Sequence, residues 1–178
     1  MSNLALLLIL SCSMIAPAQT KPEPLDGPTK IFHDELLDHL QGKWKVTGTI
    51  VGHPAEMEIT AEWVLNHQFL YVHEKGLSTG AGRPEYEADV YLGYDNTSDR
   101  YVAHWIDIYG GRFSETLGYG MRSGNTIKFN FEYPDGPFHN SFTWDAAGKS
   151  WHLFLEQKNT AGKWTTFADQ TATRADNK

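Results

Sequence analysis

From Lys43 to Arg174 the chain runs as ten short strand-like stretches separated by turns, with no helical crossover between any two of them. The stretches span 44–51, 57–65, 68–75, 85–94, 100–107, 112–120, 126–133, 138–145, 150–157 and 164–174. The connections are turn chemistry: Gly52-His53-Pro54, Asn66-His67, Asp95-Asn96-Thr97-Ser98, Ser123-Gly124-Asn125, Pro134-Asp135-Gly136-Pro137, Ala147-Gly148 and Ala161-Gly162. Loops of hairpin length make consecutive strands antiparallel neighbours. With no helix to cover a face, about ten such strands avoid open edges most simply by closing into a barrel. The expected fold is therefore all-β, an antiparallel up-and-down barrel.

Side-chain alternation supports this. Between 125 and 133, Ile127, Phe129, Phe131 and Tyr133 fall on one face and Thr126, Lys128, Asn130 and Glu132 on the other. The split is less clean in 150–157, where Trp151, Leu153 and Leu155 oppose His152, Phe154 and Glu156. Ahead of the strands, Phe32, Leu36, Leu37 and Leu40 recur at helical spacing and predict a short amphipathic helix over 31–41. Leu36 and Leu40 then seal one barrel end. Gly42, lacking a Cβ, lets the backbone turn tightly from helix into strand, and Trp44 lies across that end as an apolar plug. Gly93 reads as a bulge or a close strand contact, and Asp95 as a turn residue accepting backbone N–H groups.

These elements carry a resemblance. Leu40-x-Gly42-x-Trp44, Glu62-Trp63-Val64-Leu65 leading into Gln68-Phe69-Leu70, Leu92-Gly93-Tyr94-Asp95, and Arg100-Tyr101-Val102 with Trp105-Ile106-Asp107 occur in the order of an uncharacterised bacterial family. The chain resembles that family of lipocalin-like domains, within the calycin group, over essentially all of 36–174. The resemblance implies a ten-stranded barrel with a short N-terminal helix and no established reaction. A different calycin branch, the nitrobindin-like proteins, binds haem and opens with Gly-x-Trp-x-Gly-x-Gly. Here the match ends at Trp44, with Val46 where the next glycine stands, and the last strands offer only His152.

Residues 1–18 are expected to be a cleaved export signal. Leu4 to Leu10 is uninterruptedly apolar, and Ala16-Pro17-Ala18 precedes Gln19, although Met1-Ser2-Asn3 lacks Lys and Arg. The run is shorter than the roughly 20 residues that cross a bilayer. Residues 19–30, rich in Pro and polar residues, read as a flexible tether, and 31–174 as the barrel domain. The mature protein is expected in the periplasm or secreted, without stable membrane insertion. Cys12, the single cysteine, follows Ile9-Leu10-Ser11, a poor approximation to a lipidation site. Its removal with the leader would exclude disulfides, thiolate metal sites and cysteine nucleophiles. A net charge of −7 without a Lys/Arg cluster argues against a nucleic-acid partner.

Function is read first as binding of a small hydrophobic or amphipathic molecule. Tyr86, Tyr91, Trp105, Tyr109, Phe113, Tyr119, Phe129, Phe131 and Phe142 supply apolar walls with a few hydroxyls. Arg112 and Arg122 are candidate anchors for an anionic head group. The residues assigned to the ligand are Tyr91, Trp105, Arg112, Phe129 and Phe131. Tyr133 to Pro137 and Tyr109 to Gly111 are placed at the mouth by hairpin parity, and Thr79 to Gly82 is read as a loop over it. A calycin-like enzyme is the alternative, using inward-facing residues among His73, His104, His139 and His152 or among Glu58, Glu62, Glu87, Asp89, Glu115, Glu132, Glu156 and Asp169. An interaction module with a filled barrel is the third reading. No hydrolytic zinc motif, nucleophile elbow or phosphate loop occurs, so no catalytic residue, metal or cofactor is assigned.

Overall fold

A computed structural model describes residues 32–77 and 85–175. The proposed leader, the whole tether, Cys12 and the 79–82 loop lie outside the described residues. Ten strands follow one another: β1 (Gly42–Ile50), β2 (His53–Val64), β3 (Phe69–Gly76), β4 (Glu87–Asp95), β5 (Arg100–Asp107), β6 (Leu117–Ser123), β7 (Thr126–Tyr133), β8 (Gly136–Asp145), β9 (Ser150–Lys158) and β10 (Trp164–Arg174). Each pairs antiparallel with its sequence neighbours, and β1 pairs with β10, so the sheet closes and no edge is left open. The expected all-β up-and-down barrel is the fold found. Among the described residues two short helices accompany it, α1 (Glu35–Asp38) and α2 (Gly111–Ser114).

The predicted helix contracts to the single turn of α1. Asp34 caps it, its Oδ1 accepting the N–H groups of Leu36 at 2.8 Å and Leu37 at 3.0 Å. The turn ends quickly because Gly42, at φ +112°, must already lead into β1, and a Cβ there would sit 2.3 Å from the Arg174 guanidinium. The sixth strand also shifts. Residues 112–114, expected as strand, form α2 instead, and β6 begins at Leu117. The Ser114 hydroxyl bonds the Gly110 carbonyl at 3.1 Å and the His104 ring donates to the Ser114 carbonyl at 2.8 Å, which satisfies this turn locally. Gly93 is a close contact rather than a bulge: its pairing is regular, and a Cβ would lie 2.6 Å from the Phe69 ring.

The two barrel ends differ. One carries the β2–β3, β4–β5, β6–β7 and β8–β9 turns and is closed by α1. Leu36, Leu37, Leu40, Trp44, Val46, Leu70, Leu92, Ile127 and Trp151 fill this half completely. Asp34 also joins the helix to the wall here, accepting from the Tyr101 hydroxyl and pairing with Arg122 at 3.2 Å. The opposite half is not filled.

Closure makes some positions intolerant of any side chain. Gly48 on β1 faces Gln170 on β10, and a Cβ built there meets the Asp169 carbonyl oxygen at 2.2 Å and the Gln170 Cα at 2.7 Å. Both neighbours are backbone, so relief requires β10 to move. Gly48→Ala is expected to cost about 1–3 kcal/mol, read as a lowered urea midpoint at unchanged m-value. An unchanged midpoint would mean that the β1–β10 seam is laxer than its register indicates.

Candidate functional site

The unfilled half holds a cavity of about 540 Å³. That is well within the range of roughly 300–1,000 Å³ usual for small-molecule sites. It opens between the β5–β6, β7–β8 and β9–β10 connections. Tyr109 and the stretch Tyr133, Asp135, Gly136 and Pro137 stand on its rim, the mouth placement expected from hairpin parity.

Its walls are mostly apolar and aromatic. Trp105, Phe113, Phe131, Tyr133, Phe138 and Phe142 contribute rings, and Met57, Leu153 and Leu155 contribute aliphatic surface. The rings interlock: Phe131 stacks on Tyr133 at 5.3 Å, and Trp105 meets Phe131 edge-on at 6.5 Å. Phe167 joins the wall because β10 slips by one residue between Thr166 and Ala168, so that both Phe167 and Ala168 reach the lumen.

Two carboxyl groups interrupt this surface. Glu74 on β3 is cross-strand from Ala88 on β4, and Ala88 is cross-strand from Asp107 on β5. All three point inward, so the small Ala88 side chain separates two acids on one wall. Glu74 is only 4% exposed, and its carboxyl has no hydrogen-bond partner among the described residues. Burial, and then repulsion from Asp107, push its carboxyl up to about 8. Burial raises Asp107 as well, opposed by the Tyr109 N–H that its Oδ1 accepts at 2.9 Å. Tyr86 lies beside them, its hydroxyl oxygen accepting from Trp105 Nε1 at 2.9 Å. Burial and the neighbouring Glu74 hold its phenol proton well beyond the usual range. Burial pushes Tyr133 up to about 12, with Asp107 adding to the effect. Away from the acids, Gln170 donates to the Met57 sulfur at 3.4 Å. Asn140, 2% exposed, leaves its Oδ1 without a partner. The arrangement offers a protonatable carboxyl, a second acid and an amide within apolar walls.

The five residues assigned to the ligand from sequence separate. Trp105 and Phe131 line the cavity. Phe129 is buried below it, packed edge-on against Phe142 at 6.0 Å. Tyr91 lies on the outer face of β4, between the inward Val90 and Leu92, against Tyr71 at 5.2 Å. Arg112 stands on α2 at the rim, its guanidinium held by Asp135. The other candidate anchor, Arg122, is at the closed end with Asp34.

The strand histidines do not converge in the lumen. His73 turns outward to Asp89 at 2.8 Å, His152 to Asp169 at 2.8 Å, and His139 stacks on Trp164 at 3.6 Å. Nor does any of the eight carboxylates named from sequence line the cavity. The inward acids, Glu74 and Asp107, are both absent from that set. The missed signal was parity: Glu74 shares the strand face of Leu70, Val72 and Gly76, all buried. Among the described residues, no group of three or more His, Asp or Glu is placed to hold a metal ion.

The family described as "Protein of unknown function (DUF1579)" matches residues 32–174, the helix and the whole barrel. No curated protein matches the chain. Among solved structures, a redesigned β barrel is similar at 14% identity, with 78% of this chain and 94% of that chain covered and a TM-score of 0.43.

Proposed function

We propose that this chain, which belongs to the DUF1579 family, is a container that takes a small hydrophobic or amphipathic molecule into the open half of its barrel. The observation that carries this reading is the 540 Å³ cavity above a fully packed closed end. A barrel that needed only to be stable would be filled from end to end, since unfilled apolar volume costs stability. The walls suit a molecule with an extended apolar body, and the few polar groups at one side would fix its orientation. On this reading the barrel is a lipocalin-like one, and with residues 1–18 as a leader it works in the periplasm or outside the cell.

The test is to fill the space. Ala168 is buried on the cavity wall, so Ala168→Phe projects a ring into the lumen. The neutral fluorophore N-phenyl-1-naphthylamine should bind the native protein with a rise in emission. Ala168→Phe should weaken that binding at least tenfold while the far-ultraviolet spectrum stays unchanged. Equal binding by a folded variant would place the dye on the outer surface and remove the support for a container.

A further inference from the structure

Resting on the container reading, we propose that the cavity selects organic cations. The ligand is an aryl or alkyl amine whose ammonium sits against Glu74 and Asp107, with its apolar body among Trp105, Phe131 and Phe138.

The charge inventory of the wall carries this. Among the described residues the cavity is lined by three acids, Glu74, Asp107 and Asp135, and one base, Lys158. Asp135 is already paired with Arg112. Lys158 sits by the rim, its Nζ 5.9 Å from the Trp164 ring centre. Arg122, the other cation expected to anchor a head group, is committed to Asp34 at the closed end. The base that lines the cavity is therefore an exposed rim lysine on β9, and Glu74 and Asp107, on the facing stretch of β3 and β5, have no cationic partner among the described residues. Asp107 accepts one backbone N–H, and Glu74 accepts nothing.

A carboxyl buried without a hydrogen bond is costly, and a structural role would be better served by an apolar residue. Glu74 stands beside rings whose faces carry negative potential, and an ammonium placed there gains from both the carboxylate and the rings. An anionic ligand would meet repulsion from the same groups. A neutral alcohol can exchange a hydrogen bond with Glu74 in either protonation state but gains no charge pairing, and that difference can be read from pH.

The titratable and charged groups facing Glu74 or sharing its cavity are Asp107 on β5, Tyr86 before β4, Tyr109 after β5, Tyr133 on β7, and Asp135 and Lys158 at the rim. Burial raises the Tyr86 and Tyr133 phenols, which keeps both neutral over the range in which Glu74 titrates. At neutral pH Glu74 keeps its proton, and a bound ammonium drives it off. Amine affinity should therefore climb towards tenfold per pH unit up to about 8 and then level, because proton release on binding makes affinity rise with pH. A ligand that needs protonated Glu74 shows the opposite slope.

The experiment is isothermal titration calorimetry with three probes of one shape: 4-phenylbutylamine, 4-phenylbutan-1-ol and 4-phenylbutyrate. At pH 8 the amine should bind at least tenfold more tightly than the alcohol, and the acid most weakly. At pH 7, titrations in phosphate and in Tris should differ by the heat of close to one released proton. Glu74→Gln should abolish the amine preference and the proton release while leaving the alcohol's affinity within a factor of about three. Binding of the alcohol or the acid as tightly as the amine would overturn cation selectivity and leave the container standing. Failure of all three, together with N-phenyl-1-naphthylamine, to bind would overturn both.

Discussion

Trp44→Ala should be the most damaging single truncation in the barrel, costing about 3–5 kcal/mol in chemical denaturation. Trp44 has no exposed surface, and three separate contacts depend on it. Its Nε1 donates to the Leu40 carbonyl at 2.6 Å, which fixes the end of the α1 segment to β1. The Arg174 guanidinium lies 4.0 Å from its ring centre, so the first and last strands meet over the indole. Trp144 packs edge-on against it at 6.3 Å. The surroundings cannot collapse into the vacated space, because the neighbours are held by a closed sheet. For a domain with a typical total stability of roughly 5–15 kcal/mol, such a loss leaves little margin. Trp44→Phe keeps a ring under Arg174 and gives up the N–H, so an intermediate loss is expected. Trp105→Ala is the internal control: Trp105 borders a space already open to solvent, and its removal should cost distinctly less. Equal losses at the two tryptophans would show that the closed end is not the seat of stability.

That contrast between the ends marks what could be read from the sequence. Gly42, Trp44 and the ten strands were legible because turn residues and period-two alternation are local signals. Closure followed from the absence of any other way to protect ten edges, and the β1–β10 pairing realises it. The rim was legible too, since strand count fixes which turns share an end. The chemistry of the lumen was less so. Tyr91 and Glu74 were both decidable by parity, Tyr91 lying out of phase with Val90 and Leu92, and Glu74 in phase with Leu70 and Val72. Glu74 is the less expected of the two, because acids are seldom fully buried. Other features depend on tertiary partners. Arg112 loses its availability to Asp135, 23 residues away, and Phe167 reaches the cavity only through a slip in the β9–β10 pairing. Neither leaves a mark in local sequence.

Glu74 also gives the barrel an unusual dependence on pH. Its carboxyl titrates near 4.5 when unfolded and is pushed up to about 8 in the fold by burial and by Asp107. The folded protein therefore holds this proton more tightly than the unfolded chain does. The sign follows: the contribution to stability is fully present below about pH 4.5, declines as pH rises, and is lost by about pH 8, beyond which it is constant. At about 1.4 kcal/mol per unit, the loss is on the order of 4–5 kcal/mol. Asp107, raised by burial, adds a decline of the same sign. Asp89 and Asp95 work the other way, held below the usual carboxylate range by hydrogen bonds from Tyr71 and His73 and from Ser98 and Thr97. The net profile is thus a sum, and the Glu74 part is isolated by difference. Glu74→Gln cannot ionise, so relative to the native protein it should show a nearly constant offset at and below pH 4.5. It should then gain several kcal/mol by pH 9, measured as urea midpoints at unchanged m-value. A saturating amine should shrink that gap, since a bound ammonium compensates the carboxylate it leaves charged. Parallel pH profiles for the two proteins would mean that Glu74 is solvated through the cavity, and with that the reason for expecting a cation beside it would go.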